Sequence, residues 1–119
     1  MIKNARITHT MLGREDHGIL TFMLYIEFDS GISCGVGGYA LDEYDPKTKT
    51  RAFSAKSMEA ISKILEVVGV NSWEELPGKY IRFEDCEWGS FVTKIGNILA
   101  DRWIDFKEFF SVKGESCND

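Results

Sequence analysis

The chain has 119 residues, 44% of them hydrophobic and 28% charged, and its 14 Lys and Arg against 19 Asp and Glu leave a formal net charge of −5. That length suits one domain that buries a single core without staples. The acidic balance argues against a duplex nucleic-acid partner, whose phosphates require basic side chains.

Ile2 to Thr8 predicts a short strand, with Ile2, Asn4 and Arg6 on one face and Lys3, Ala5 and Ile7 on the other. The polar residues Gly13 to Gly18 then turn the chain. Ile19 to Phe28 predicts the clearest strand, because Leu20, Phe22, Leu24, Ile26 and Phe28 recur at period two. Asp29-Ser30-Gly31 has hairpin composition, and Ile32 to Val36 returns beside it. This return strand runs into Gly35-Val36-Gly37-Gly38-Tyr39. Three glycines in four positions weaken a strand unless the backbone takes positive φ or something approaches it closely. Gly35, Gly37, Gly38 and Tyr39 are therefore the first candidates for a ligand contact, beside the plainer reading of a bulge or an edge pressed under aromatic rings.

Asp42 to Arg51 reads as an exposed polar loop in which Asp42, Glu43 and Asp45 are solvated; EF-hand spacing is absent. Ser57 to Val68 has helical spacing, with Met58, Ile61, Leu65 and Val68 on one stripe widened by Ile64. Ser54 or Ser57 suits its start and Gly69 its end. Ser72 to Glu75 matches a capping box, in which hydroxyl and carboxylate each satisfy a backbone N–H, ahead of a one-turn helix stopped by Pro77-Gly78. Lys79 to Phe83 and Phe91 to Ile95 predict two further strands joined by a polar turn. Ile98 to Phe110 fits either a short helix or a strand followed by a helical turn. The expected fold class is α+β: a mostly antiparallel sheet of about five strands with one main helix packed across it and short helices. One domain is expected over residues 1–112, with 113–119 as a flexible tail.

The chemistry legible in the pattern is sparse. The glycines lead into Tyr39-Ala40-Leu41-Asp42 and a charged segment, with no Lys-Ser or Lys-Thr pair, so neither a P-loop nor a dinucleotide fingerprint is present. His17, beside Asp16 and eight residues after His9, is a candidate ligand contact; as a general base or metal ligand it lacks convergent partners in the pattern. Arg82, Lys94 and Arg102 are candidate anion contacts, and strands could gather Arg82 and Lys94 near Phe83, Trp88 and Phe91 to grip an anionic, ring-bearing ligand. The same residues would equally serve as the outer face of a sheet. Cys34, Cys86 and Cys117 are odd in number and lack CxxC spacing, which disfavours a disulfide framework or a zinc site and points to a reducing cytoplasm. Cys34 reads as a buried small hydrophobe, and the acidic neighbours of Cys86 oppose a thiolate. No signal-peptide pattern opens the chain, and Leu20 to Phe28 is too short to span a bilayer, so no membrane partner is expected. No cofactor or catalytic set is indicated.

Four segments carry a resemblance: Met11-Leu12-Gly13, Glu15-Asp16-His17-Gly18-Ile19, the glycine run ending Tyr39-Ala40-Leu41-Asp42, and Leu76-Pro77-Gly78-Lys79-Tyr80. Together they resemble a family of small uncharacterised proteins of tailed phages and prophages, over nearly the whole chain to about Phe110. Cys34 and Val36 depart from it, where the family pattern has a more polar residue and an aromatic one. The family carries no activity to transfer; by analogy with small phage accessory proteins as a class, the expectation is a non-enzymatic binding protein in the host cytoplasm that counters defence. Its expected partner is a nucleotide-derived immune signal, sequestered in a pocket that a homo-oligomer would complete. The alternatives are an anti-CRISPR-like inhibitor of a host defence protein, and a small phosphoester-cleaving enzyme that uses His17.

Overall fold

The computed structural model describes residues 2–15, 18–29, 31–53, 55–84 and 92–110. Eight strands are described: β1 (Ile2–Glu15), β2 (Ile19–Phe28), β3 (Ile32–Ala40), β4 (Asp42–Asp45), β5 (Thr50–Phe53), β6 (Tyr80–Glu84), β7 (Lys94–Asn97) and β8 (Trp103–Asp105). The helix α1 covers Ala55–Val68, a 3-10 turn covers Trp73–Glu75, and residues 106–110 form a helical turn. Six strands make one antiparallel sheet in the order β3-β2-β1-β6-β7-β8, while β4 and β5 form a separate two-stranded hairpin. The architecture is α+β as expected, but the main sheet has six strands rather than about five, and the hairpin adds two more. The extra sheet strand is β8, the second of the two alternatives for Ile98 to Phe110.

Strand β1 runs to Glu15, well beyond the expected Thr8, so Gly13, Arg14 and Glu15, expected in the turn, belong to the strand. Its first residues pair with β6, from Ile2↔Glu84 to Arg6↔Tyr80, and the rest pair with β2, from Arg6↔Glu27 to Glu15↔Ile19, with Arg6 shared by both ladders. This makes β1 the hinge between two meanders, β1-β2-β3 and β6-β7-β8. A bulge at Thr8 shifts the register between Ile7 and His9.

Period-two alternation sends Leu24, Ile26, Val36, Ile7, Ile81, Phe83, Ile95 and Ile104 inward, all buried, against Ile64 and Val67 of α1. All eight are apolar and six are β-branched, which suits both the strand conformation and burial. Helix α1 starts at Ala55, which places Ser57 inside its first turn and buried, while Ser54 lies outside the described residues. At its other end Gly69 has φ 91°; Val70 N–H donates to Leu65 O at 3.0 Å and Gly69 N–H donates to the same oxygen at 2.8 Å, a Schellman closure. A different arrangement stands in place of the expected capping box. Glu75 accepts from Asn71 N–H at 3.2 Å, but Ser72 Oγ donates to the same carboxylate at 2.9 Å instead of receiving an N–H.

The expected loop from Asp42 to Arg51 is also corrected. Asp42 is 2% exposed and its strand pairs with β5, from Asp42↔Phe53 to Asp45↔Thr50. Its carboxylate lies 2.9 Å from Arg51 Nη2 and accepts Leu20 N–H at 3.3 Å, so this acid anchors the hairpin to β2. The Arg51 hydrogen bond holds the Asp42 carboxyl below the ordinary carboxylate range, against an opposing effect of burial. Among the described residues no helix is long and apolar enough to cross a membrane.

Candidate functional site

The glycine segment forms a bulge at the end of the sheet. Between the pairs Met23↔Gly37 and Thr21↔Ala40, β3 advances three residues while β2 advances two. Gly37 and Gly38 absorb the extra residue with φ 120° and 84°, values that L side chains rarely adopt. Close approach adds a second reason at Gly37: a Cβ there would sit 2.8 Å from Phe22 O and 2.9 Å from the Phe22 ring. Thr21 Oγ1 donates to Tyr39 O at 2.7 Å and Leu41 N–H donates to Leu20 O at 2.7 Å, which pins the chain on the far side of the bulge.

Among the described residues, no strand pairs with the outer side of this segment. Strand β3 ends its sheet, with β2 on one side only. The sheet curls enough that residues next to β7 and β8 face it: a hollow of about 300 Å³ is lined by Gly35, Gly37, Gly38, Tyr39, Val92, Thr93 and Lys107. Tyr39 forms one wall, stacked on Phe110 at 4.7 Å between centroids and leaning on Phe106 at 5.9 Å. Burial, and then the Asp105 carboxylate, push its phenol above the ordinary value. The hollow therefore offers glycine backbone, a neutral phenol, a threonine hydroxyl and one ammonium. Its volume sits at the lower end for small-molecule sites.

The other sequence candidates are placed elsewhere. Arg82 and Lys94 do come together, on the outer face, with the Arg82 guanidinium 4.7 Å and the Lys94 ammonium 5.3 Å from the Trp103 ring centroid. Their ring partner is Trp103 and not Phe83, which is fully buried on the inner face; Trp88 and Phe91 lie outside the described residues. Arg82 is also committed to the fold, since Nε donates to Asn97 O at 2.7 Å and Nη2 to Ala100 O at 2.8 Å. Arg102 lies on the opposite face, 3.8 Å from where a Cβ on Gly69 would stand, at the C-terminal end of α1 where a cation complements the helix dipole. His17 and Asp16 lie outside the described residues.

One groove escaped the sequence reading. Thr8, His9, Tyr25, Glu27, Ser33, Cys34 and Gly35 line a hollow of about 520 Å³ on the outer face of β1, β2 and β3. His9 stacks on its cross-strand neighbour Tyr25 at 4.3 Å. Thr8 Oγ1 donates to Tyr25 O at 3.1 Å and lies 3.2 Å from His9 Nδ1, so its lone pair suits an N–H at Nδ1. The cross-strand pair follows from period two, but the bulge that gathers it leaves no mark in composition. Among the described residues no group of three or more His, Cys, Asp or Glu side chains could hold a metal ion. No family model, curated protein or solved structure matches the chain.

Proposed function

We propose that this protein is a binding protein that holds a small anionic, ring-bearing ligand of nucleotide type beside the glycine bulge of β3. The observation that carries the reading is the hollow between the glycine backbone and Lys107, with Tyr39 as its ring-bearing wall. Bare backbone lets a phosphate approach amide groups that side chains would otherwise screen. The Lys107 ammonium supplies the point charge and the Tyr39 ring a surface for stacking. The resemblance to phage and prophage proteins adds a setting, in which the ligand is a host immune signal kept intact.

The test is mass spectrometry of small molecules retained on the purified protein and released by heat, followed by calorimetric titration with the nucleotide identified. Intact release is expected, and Lys107→Ala weakens binding roughly ten- to hundred-fold, the usual cost of a lost charge-assisted hydrogen bond. Release of a chemically altered product would favour the enzyme reading instead. A second reading is a protein-directed inhibitor, favoured by the exposure of Phe53 at 62% and Met58 at 68% on β5 and α1. Under that reading a host protein co-purifies and no nucleotide shifts the melting temperature.

A further inference from the structure

We infer that the outer edge of β8, together with the facing side of α1, is a docking groove for an extended acidic peptide added as a strand. The argument starts from hydrogen-bond alternation. Asn97 N–H donates to Arg102 O at 2.9 Å and Phe106 N–H donates to Thr93 O at 2.7 Å, with Ile95↔Ile104 between them. In an antiparallel ladder the residues between such pairs turn their backbone groups the other way. Trp103 and Asp105 therefore direct their N–H groups, and Trp103 its C=O, away from β7. β8 is the last strand of the sheet order, so this side meets no further described strand. The Asp105 side chain accepts Glu108 N–H at 3.2 Å and caps the helical turn that follows.

A wall stands opposite this edge. Lys56, Lys63, Trp103, Ile104, Asp105, Glu108 and Phe109 line a groove of about 230 Å³ between β8 and α1. Lys56 and Lys63 are seven residues apart, two helical turns or about 10 Å along the axis, so both project from one side of α1. Lys56 rides on the Phe109 ring at 4.1 Å and Lys63 lies only 3.5 Å from Glu66, a loose pair at the surface. A strand added to β8 would send alternate side chains toward α1, where these ammonium groups favour carboxylates. The carboxylates on the strand side differ in availability: Asp105 is occupied as a cap and stands opposite Lys94 in the ladder, while Glu108 is exposed to solvent. Strand addition supplies main-chain bonds, and the two lysines supply a preference for acidic side chains on the face of the added strand that is turned toward α1.

The test is fluorescence anisotropy of a dye-labelled peptide, Glu-Val-Glu-Val-Glu-Val, titrated with the full chain at low salt. Binding is expected, with at least a tenfold loss for the Lys56→Glu, Lys63→Glu double variant and for a lysine-for-glutamate version of the peptide. N-methylation of alternate peptide amides leaves every charge in place and should also abolish binding, without any change to the protein. Equal affinity for the methylated and unmethylated peptides would reduce the site to a charge effect and overturn strand addition. Absence of binding, or a concentration-dependent dimer by sedimentation that the peptide does not compete with, would assign the edge to no partner or to a second copy and overturn the inference.

Discussion

At the scale of single residues, Asp42 and the bulge glycines have the clearest consequences. Asp42 is held ionised by Arg51 and by Leu20 N–H in a site almost without solvent. Its folded pKa is depressed, so its contribution is complete above the unfolded value of about 3.9 and is lost as pH falls through the lower folded value. Wild-type melting temperature should therefore fall on acidification below about pH 4, and Asp42→Asn should show a flatter acid limb from a lower starting point at neutral pH; thermal scans across that range check it. Gly37 and Gly38 separate backbone strain from space. Gly37→Ala meets Phe22 backbone and ring as well as an unfavourable φ, whereas Gly38→Ala meets only Met23 Sδ at 3.4 Å. Urea unfolding should show a loss of about 2–3 kcal/mol for the first and about 1 kcal/mol for the second. A reversed order would mean that the bulge is held differently.

At the scale of elements, β7 and β8 depend on Gly96. A Cβ at this position would overlap the Trp103 ring, so the indole lies flat on the strand only because Gly96 has no side chain. Gly96→Ala should lift the indole, disturb its stacking with Arg82, and destabilise the fold by about 1–3 kcal/mol, the range for overpacking. Tryptophan emission and urea midpoints follow both effects. The legibility of elements follows the same division. Strand β2 was readable to the residue because five large apolar side chains repeat at period two over its full length. The end of α1 was readable because Gly69 carries the positive φ that a Schellman closure demands. The far end of β1 is hard to read because only Met11 and Leu12 between His9 and Glu15 are large and apolar, and Gly13 follows them; its pairing is enforced by β2, not by its own propensity. Strand β4 is not legible locally because three acids within four residues resemble a solvated loop, and the hairpin alone brings Arg51 against Asp42.

At the scale of the molecule, β1 pairs with both meanders, so neither half of the sheet can separate without breaking ladders on β1. A single cooperative unfolding transition is expected, with coincident circular dichroism and fluorescence curves. Phe22→Ala should lower stability by about 3–5 kcal/mol, since the fully buried ring touches the bulge, Trp73 and Phe106 together. Fold class and the inward set of side chains follow from local pattern, because alternation and helical spacing are properties of neighbouring residues. The hollow beside the glycines, the meeting of Arg82 and Lys94 on Trp103, the Asp42–Arg51 anchor and the edge of β8 required the folded chain. Each joins residues whose proximity depends on sheet curl, register and bulges, and those are settled by packing between segments far apart along the chain.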